Sequence, residues 1–475
     1  MGLNELSLAE LRKKLKSGEV TPAEIVEDIY DAIERDRENE SPLNAYISFD
    51  LNRIEEYIKK DFWRDTLLEG VPIGIKDVIN VKGENTTCGS KILDRYISPY
   101  DATSIIHLKK NGGIPCGKLN MDEFAMGSSN ENSAFGAVRN PHDRTRVPGG
   151  SSGGPAAAVA GNLAIAALGS DTGGSIRQPA SMCGVFGIKP TYGRVSRYGL
   201  VAYASSFDQI GPITKTVEDG AILLNCIAGF DSKDSTSADE PVPDFQSYLD
   251  KGVKGLVAGI PEEYFGEGLD PEVRERVEQG IKILEEAGIR TKRLSLAYTK
   301  YAVATYYIIA TAEASSNLAR FDGIRYGRWF VETDDLQELY KINRSSGFGK
   351  EVKRRIMLGT FTLSSGYYDA YYLKAQKART LIREDFKRAF DEVQLILTPV
   401  SPVPAWEIGK LVDDPLKMYL SDIYTVPVNL AGLPASSVPC GKTKEGLPVG
   451  LQIIANHFRE DLIFRASRVV EKEMG

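Results

Sequence analysis

Two glycine-rich loops that contain serine lie close together in the chain, between Pro148 and Pro190. The first covers Gly149–Gly154 (GGSSGG) and the second covers Asp171–Ser175 (DTGGS). A predicted helix of small residues and a short predicted strand separate them. Glycine permits positive φ and lets backbone N–H groups approach a bound group closely. These loops are therefore the first candidates for a reactive site.

The second loop predicts a nucleophile. Ser175 lies where a predicted strand ends, glycines turn the chain and a helix begins. This geometry directs the N–H groups of Thr172, Gly173, Gly174 and Ser175 towards one point, which is the arrangement of an oxyanion hole. A serine hydroxyl beside such a hole is a candidate nucleophile for acyl transfer.

Simpler interpretations of the loops remain open at this point. A single Gly/Ser loop is usually a turn. A phosphate-binding loop would need a G-x-x-x-x-G-K-[ST] motif, which the sequence lacks. The G-x-S-x-G nucleophile elbow is also absent, because Arg177 stands where the second glycine is required. Two such loops around a shared helix–strand spacer are harder to explain as turns alone.

The candidate base is Lys76. It follows the apolar run Val71–Ile75, so a strand there would place its amine at the buried carboxyl end of a sheet. Burial lowers a lysine pKa towards neutrality, where the neutral amine accepts a proton. The simpler interpretation is that a lysine after a strand is a solvated edge. His142 is the weaker candidate, since its neighbours are typical of a turn and predict an exposed ring.

Helices and strands alternate around these residues. Ser7 precedes a helix that ends at Gly18, and Thr21 caps a second helix that begins at Pro22 and runs to about Arg35. The predicted strands are Ala45–Phe49, Val71–Ile75, Ile114–Gly117, Ala164–Leu168, Leu256–Ile260, Thr291–Leu296 and Val393–Leu397.

Two further helices complete the pattern. One begins at the Asp270 cap and is closed by Gly288, and the other carries an apolar stripe of Ala375, Ala378, Ile382, Phe386 and Ala389. Alternation of this kind predicts an α/β protein whose helices cover a mostly parallel or mixed sheet.

Composition and charge narrow the function classes. The chain has 475 residues, of which 42% are hydrophobic and 26% charged, as in ordinary globular proteins. Its 58 basic and 65 acidic residues give a net charge of −7, and no dense run of Lys or Arg occurs. The chain is therefore a poor candidate for binding nucleic acid alone, and a nucleic-acid substrate would be held mainly by a partner.

Cysteine and histidine usage argues against metal sites and disulfides. The five cysteines are widely spaced without a C-x-x-C pair, which predicts reduced thiols, and only three histidines occur. We predict no metal site. The charged N-terminus lacks the apolar core of a signal peptide, and the small-residue stretch 156–169 is too short to span a membrane. The expected protein is soluble and cytoplasmic.

The motifs GGSSGG, DTGGSIRQPA and the upstream GIKD together resemble the amidase signature family. That resemblance implies one α/β/α domain with a large mixed sheet, and a Ser–cisSer–Lys triad that cleaves amides through an acyl-enzyme. Carried onto this sequence, Ser175 is the nucleophile, Ser151 the bridging serine and Lys76 the base. The implied domain spans 1–475, with an N-terminal helical segment at about 1–40, a core at about 70–215 and an insertion or subdomain edge at about 231–255.

Later motifs resemble one branch of that family. These are DEFAMGSS from Asp122, KPTYGRVSRYGL from Lys189, VKRRIMLGTF from Val352, GYYDAYY from Gly366 and MYLSDIYTVPVNLAGLP from Met418. They are similar to the glutaminase (A) subunits of bacterial tRNA-dependent amidotransferases. The resemblance implies a heterotrimer with B and C subunits that converts Glu-tRNA(Gln) to Gln-tRNA(Gln). Glutamine is the nitrogen donor, and the tRNA is held mainly by the B subunit. It implies no cofactor in this chain, with ATP and Mg used by the partner subunit.

The same resemblance implies a glutamine pocket. Free glutamine carries an α-carboxylate and an α-ammonium, which are assigned to Arg355 and Asp422, with Tyr306 as an aromatic wall. Gly127 and Ser128 complete the predicted pocket. A planar guanidinium suits a carboxylate because it can bind it bidentately. The simpler interpretation is that Arg355 lies on a solvated helix face and that Asp422 caps a helix.

Two other functions are compatible with parts of the sequence. A free-standing amidase of the same family would share the triad but would lack charged groups that bind both ends of an amino acid. A catalytically inactive binding subunit is the third possibility, and the intact triad argues against it. Coupled activity that requires partner subunits would separate the glutaminase subunit from the free amidase.

Overall fold

A mixed β-sheet is the centre of the structure. A computed structural model describes residues 2–331 and 333–474. Within these residues the sheet has eleven strands: β1 (Tyr46–Ser48), β2 (Pro72–Lys76), β3 (Ile114–Leu119), β4 (Ala166–Asp171), β5 (Phe186–Lys189), β6 (Gln209–Thr214), β7 (Val257–Pro261), β8 (Arg290–Leu294), β9 (Leu395–Pro399), β10 (Ala435–Lys442) and β11 (Pro448–Ala455).

Helices surround this sheet. In the same residues they are α1 (Leu8–Ser17), α2 (Pro22–Arg37), α3 (Leu51–Lys59), α4 (Thr103–Lys110), α5 (Gly153–Ala160), α6 (Arg177–Cys183), α7 (Val217–Ile227), α8 (Pro271–Glu286), α9 (Ala302–Asn317), α10 (Leu336–Gly347), α11 (Lys350–Leu363), α12 (Lys374–Glu392), α13 (Pro415–Leu420), α14 (Val426–Ala431) and α15 (Glu460–Met474). A π-helical turn, Tyr368–Leu373, leads directly into α12.

The strands join in the order β1-β3-β2-β4-β6-β5-β10-β11-β9-β7-β8. The β2–β3, β2–β4, β7–β8 and β7–β9 pairs are parallel, whereas the β4–β6, β5–β10 and β10–β11 pairs are antiparallel. Every residue of β2, β4 and β11 is buried. Because side chains alternate between the two faces of a strand, both faces of these strands must be covered. The predicted α/β class with a mixed sheet is confirmed.

The pairing of β2 with β4 positions the reactive loops. These strands are parallel neighbours, with Gly74 opposite Ala167 and Ile75 opposite Leu168. Carboxyl ends of parallel strands meet at the same edge of a sheet, so the ends of β2 and β4 lie together. Lys76 is the last residue of β2, and the loop to Ser175 begins where β4 ends at Asp171.

The predicted elements are present, with ends shifted by a few residues. The capping boxes at Ser7 and Thr21 both form, and the helix after Thr21 extends to Arg37. Sequence analysis did not predict β5, β6, β10 and β11, which supply the antiparallel middle of the sheet. In the segment 231–255, the regular structure is one short turn, Phe245–Tyr248, and the Phe245 ring packs 5.3 Å from that of Phe464.

Two further sequence expectations concern the whole chain. No helix in the part that the structure describes is both long and apolar enough to cross a bilayer. The five cysteines are all buried and free: Cys88, Cys116, Cys183, Cys226 and Cys440. Burial raises the pKa of these thiols, which keeps them protonated and unreactive.

Candidate active site

The amine of Lys76 is surrounded by serine hydroxyls. Lys76 is fully buried, and its Nζ donates to Ser151 Oγ and Ser152 Oγ at 2.8 Å each. A third hydroxyl, Ser170 Oγ, lies 3.0 Å from the same nitrogen. The strand-end position predicted for Lys76 is confirmed, and the solvated-edge interpretation is wrong because no part of this side chain reaches solvent.

Burial sets the protonation state of this lysine. Desolvation lowers the pKa of Lys76 to about 7, while the charges of Asp122 and Asp171 act in the opposite direction. The hydrogen bonds of Nζ go to hydroxyls and to one carbonyl rather than to a carboxylate. A large fraction of Lys76 is therefore the neutral amine near pH 7, where it can accept a proton.

The glycines of the first loop are required by its surroundings. A Cβ at residue 150 would lie 2.0 Å from Asp122 Oδ2, and one at residue 154 would lie 2.1 Å from the Asn120 carbonyl oxygen. Asp122 also accepts the N–H of Asn130 at 2.8 Å. The peptide bond between Gly150 and Ser151 is cis. The loop is thus packed tightly on Asp122, with the Ser151 hydroxyl against Lys76.

The second loop packs directly on the first. Ser152 donates its N–H to the Ser175 carbonyl oxygen at 3.1 Å, which ties the two loops together. Gly174 has φ +139°, a conformation that only glycine adopts readily. Ser175 keeps 8% of its surface exposed and Ser151 none. Of the three triad positions predicted from sequence, Ser175 is the one that keeps some exposed surface.

A buried ion pair holds the second loop. Arg177 contacts the two carboxylate oxygens of Asp171 at 3.1 Å each, and both side chains are fully buried. Desolvation alone would raise the pKa of Asp171, but the charges of Arg177 and Lys189 and the hydrogen bonds from Arg177 and Asn429 together outweigh it and lower that pKa to about 2. Asp171 therefore stays ionised and accepts the N–H groups of Gly174 and Ile176 at 2.9 and 3.1 Å.

That arrangement corrects one sequence prediction. Gly174 donates its N–H to Asp171, so it does not point freely into the predicted oxyanion hole. In residues 2–331 and 333–474, the N–H groups of Thr172, Gly173 and Ser175 have no hydrogen-bond acceptor. Three of the four N–H groups named from the sequence are therefore without an acceptor among the described residues.

Two side chains that were not predicted from the sequence, those of Asp208 and Thr425, hold this loop in place. Thr172 donates its hydroxyl to Asp208 Oδ1 at 2.6 Å. Thr425 donates its hydroxyl to the Gly173 carbonyl oxygen at 2.6 Å, which sets the orientation of the peptide unit between Gly173 and Gly174. A Cβ at residue 174 would lie 2.2 Å from Thr425 Oγ1, so this close contact also requires glycine. Their signal in the sequence is weak, because Asp208 and Thr425 both lie outside the serine–glycine loops.

Arg355 projects from α11 into the interior. Only 2% of it is exposed, and it donates to Glu351 Oε1 at 2.7 Å, to Tyr203 Oη at 2.9 Å and to the Gly127 carbonyl oxygen at 2.6 Å. Its guanidinium also lies 5.2 Å from the ring centroid of Tyr307. The interpretation of a solvated helix face is therefore wrong for Arg355.

Asp422 lies close to this cation. It is buried, accepts the hydroxyl of Ser128 and lies in the electrostatic field of Arg355. Burial raises the pKa of Asp422 to about 7, although the hydrogen bond from Ser128 and the charge of Arg355 act against this rise. The structure thus brings together Gly127, Ser128, Arg355 and Asp422.

Tyr306 connects this pocket to the serine loops. It is buried, and a Cβ at residue 173 would lie 2.8 Å from its Cζ and Oη atoms. Glu351 and Tyr203 were not predicted, and they hold Arg355 in place. Glu351 could have been found from its i, i+4 spacing to Arg355 on α11. Tyr203 lies too far away in sequence for such a signal.

His142 is not part of this cluster. Its side chain is exposed, and its Nε2 lies 2.9 Å from the Cys183 carbonyl oxygen. Across the described residues, no group of three or more His, Cys, Asp or Glu side chains is placed to hold a metal ion.

Comparisons with known proteins agree with one another. The family model described as Amidase matches residues 24–464. The chain is 54% identical to the A subunit of the glutamyl-tRNA(Gln) amidotransferase of Syntrophus aciditrophicus, over 99% of this chain and 98% of that protein. Its identity to the corresponding Persephonella marina protein is 56%, over 98% and 97%. A crystal structure of the A subunit of the same amidotransferase from Thermotoga maritima has a TM-score of 0.81 and 44% identity, covering 100% of this chain and 96% of that chain.

Proposed function

This chain belongs to the amidase signature family, and from that premise we propose that it is the glutaminase subunit of a tRNA-dependent amidotransferase. It hydrolyses glutamine and supplies ammonia for the ATP-dependent conversion of Glu-tRNA(Gln) to Gln-tRNA(Gln). The observation that carries the proposal is Lys76 Nζ, fully buried with a pKa of about 7 and 2.8 Å from Ser151 Oγ, beside the Ser175 loop. Full-length similarity to proteins named as A subunits supports it.

The proposed reaction begins with proton transfer. Neutral Lys76 accepts the hydroxyl proton of Ser151 while Ser151 accepts that of Ser175, whose Oγ bonds to the amide carbon of glutamine. Lys76 makes its hydrogen bonds to the first loop and to Ser170, so the route to Ser175 passes through Ser151. The tetrahedral oxygen that develops is stabilised by the N–H groups of Thr172, Gly173 and Ser175.

Collapse of this intermediate releases ammonia. The C–N bond breaks as the leaving nitrogen takes the proton back from Lys76 through Ser151, and a γ-glutamyl ester remains on Ser175. Water then attacks the ester carbon and gives its proton to the same path. The ester bond to Ser175 Oγ then breaks and glutamate is released. The proton returns along the same path and restores the Ser175 hydroxyl.

Substrate selection uses the charged pair beside the nucleophile. A guanidinium carries five N–H donors, and the protein uses three of those of Arg355. Two remain for the α-carboxylate of glutamine. Asp422, with Ser128 and the Gly127 carbonyl group nearby, binds the α-ammonium, and Tyr306 forms the wall towards Gly173. A pocket with one buried cation and one buried anion favours an amino acid over a neutral amide.

The remaining steps of amidotransfer belong to the partner B and C subunits. The sequence contains no phosphate-binding loop motif, and its net charge of −7 does not favour holding tRNA. We assign ATP and Mg to the partner that activates Glu-tRNA(Gln), and binding of that tRNA mainly to the B subunit. This chain itself uses no cofactor in the proposed reaction.

The test measures two activities of the complex, glutamine-dependent and ammonia-dependent amidation of Glu-tRNA(Gln). Ser175→Ala, Ser151→Ala and Lys76→Met should abolish glutamine hydrolysis and leave ammonia-dependent amidation intact, because added ammonia bypasses the acyl-enzyme. Ser437→Ala is the control, since that buried hydroxyl has no hydrogen-bond partner among the described residues. Near-normal glutaminase activity in Ser175→Ala would overturn the proposal. Equal activity of the chain alone on glutamine and on simple amides would favour a free-standing amidase.

A further inference from the structure

An open groove lies between α10 and α11, on the side of α11 away from Arg355. Its volume is about 830 Å³, and its apolar lining includes Tyr340, Phe348, Ile356 and Met357. Met357 is 67% exposed. We call this feature the α10–α11 groove.

An aromatic cluster continues the same face. Phe361 follows Met357 by one helical turn, so the two side chains lie on one side of α11. The Phe361 ring lies 4.3 Å from that of Tyr367 and 5.9 Å from that of Tyr371, and each of the three residues is more than 40% exposed. We call Phe361, Tyr367 and Tyr371 the tyrosine cluster.

Exposed apolar side chains are concentrated in this part of the molecule. Ten of the twenty large hydrophobic residues that are exposed in the described part of the chain lie between Leu336 and Leu381, which is about a tenth of its length. Single exposed apolar residues are normal, but a contiguous apolar patch on a soluble protein marks an interaction surface. Tyr and Met are also enriched at the centres of protein interfaces.

The charge of the groove indicates what covers it. Among the described residues, its lining carries five cationic side chains and no carboxylate: Lys341, Arg344, Lys350, Lys353 and Arg354. One of the five, Arg354, is paired with Glu351 beside the groove. The chain as a whole has a net charge of −7, so this face is opposite in sign to the average surface. A complementary partner presents apolar side chains flanked by carboxylates.

We propose that the α10–α11 groove and the tyrosine cluster form the docking surface for another subunit of the amidotransferase. The docked segment is an amphipathic helix with acidic flanks, because the apolar lining and the cationic side chains of the groove match the apolar and acidic faces of such a helix. The proposal rests on the proposed function, since that function supplies the partner.

The experiment compares assembly of variants of the full chain, co-expressed with the B and C subunits. Met357→Glu and the double variant Lys341→Glu/Lys350→Glu should weaken association about tenfold or more, because they oppose the apolar and cationic character of the groove. Phe230→Glu is the matched control, since Phe230 is 55% exposed and lies far from this region in sequence. Glutamine hydrolysis by each isolated variant reports whether it is folded.

The results of this experiment either support or overturn the proposed docking surface. Loss of assembly in both groove variants, with assembly retained in Phe230→Glu and hydrolysis retained in all, supports it. Normal assembly of both groove variants overturns the docking surface and leaves the proposed function intact, whereas a wild-type chain without glutaminase activity overturns the proposed function. A wild-type dimer that Met357→Glu dissociates would assign the face to a second copy, and loss of tRNA binding without loss of assembly would assign it to RNA. Either result overturns the proposal.

Discussion

Replacing Arg355 with methionine removes the proposed ligand of the glutamine carboxylate. Three of its five N–H groups donate to Glu351, Tyr203 and Gly127, so two remain for the substrate. A hydrogen bond to a charged group is worth about 1.5–3 kcal/mol. The two together give about 3–6 kcal/mol, which lowers kcat/KM for glutamine by about two to four powers of ten.

The assay separates binding from chemistry by comparing two substrates. A simple aliphatic amide lacks the α-carboxylate, so its kcat/KM reports the Lys76–Ser151–Ser175 route and should be nearly unchanged in Arg355→Met. Removing Arg355 also leaves Glu351 without its buried cation, which would destabilise the pocket. The double variant Arg355→Met/Glu351→Gln removes that carboxylate charge and serves as the control.

The preference for glutamine is the deciding quantity. We expect kcat/KM for glutamine relative to the aliphatic amide to fall in both the single and the double variant. If Arg355→Met kept the wild-type preference, or if both substrates lost the same factor, the carboxylate assignment would be refuted. The free-standing amidase would then be the better interpretation of this pocket.

Three further predictions concern the same site. With a neutral amide as substrate, kcat/KM should fall about tenfold per unit as pH drops below about 7, since the neutral amine of Lys76 is lost, and a pH-independent rate there would exclude it as the base. Asp422, with its raised pKa of about 7, should add a loss of glutamine binding over the same range, which a neutral amide would not show in its pH profile. Glu351→Gln should raise KM for glutamine about tenfold and spare kcat for a neutral amide; an unchanged KM would mean that this carboxylate does not position Arg355.

Local sequence patterns predicted the main features of the reactive site. The apolar run before Lys76 and the small residues before Asp171 predict two strand ends, and the parallel pairing of β2 with β4 brings those ends together. Glycine at positions 150 and 154 reflects contacts of about 2 Å that any Cβ would make, so the GGSSGG pattern is tied directly to packing. Burial then lowers the pKa of Lys76, as the strand-end position predicts.

Contacts between residues that are far apart in the sequence could not be predicted from local patterns. Strands β10 and β11 join β5 and β9 at the middle of the sheet, and no local pattern states which distant strand they pair with. The Gly174 N–H was assigned to the oxyanion hole because loop geometry alone does not show that Asp171 accepts it. Thr425 reaches Gly173 from 252 residues away, which sequence spacing does not indicate. The glutamine pocket was assigned by family resemblance for the same reason.

The most direct test of the proposed mechanism is to find which residue carries the acyl group, because the mechanism assigns it to Ser175. The isolated chain is mixed with glutamine, quenched in acid during turnover, digested and mapped by mass spectrometry. We predict a mass gain of one γ-glutamyl group on the peptide that contains Ser175, and its absence in Ser175→Ala. A γ-glutamyl adduct on any other residue, or wild-type hydrolysis by Ser175→Ala, would contradict the proposed mechanism.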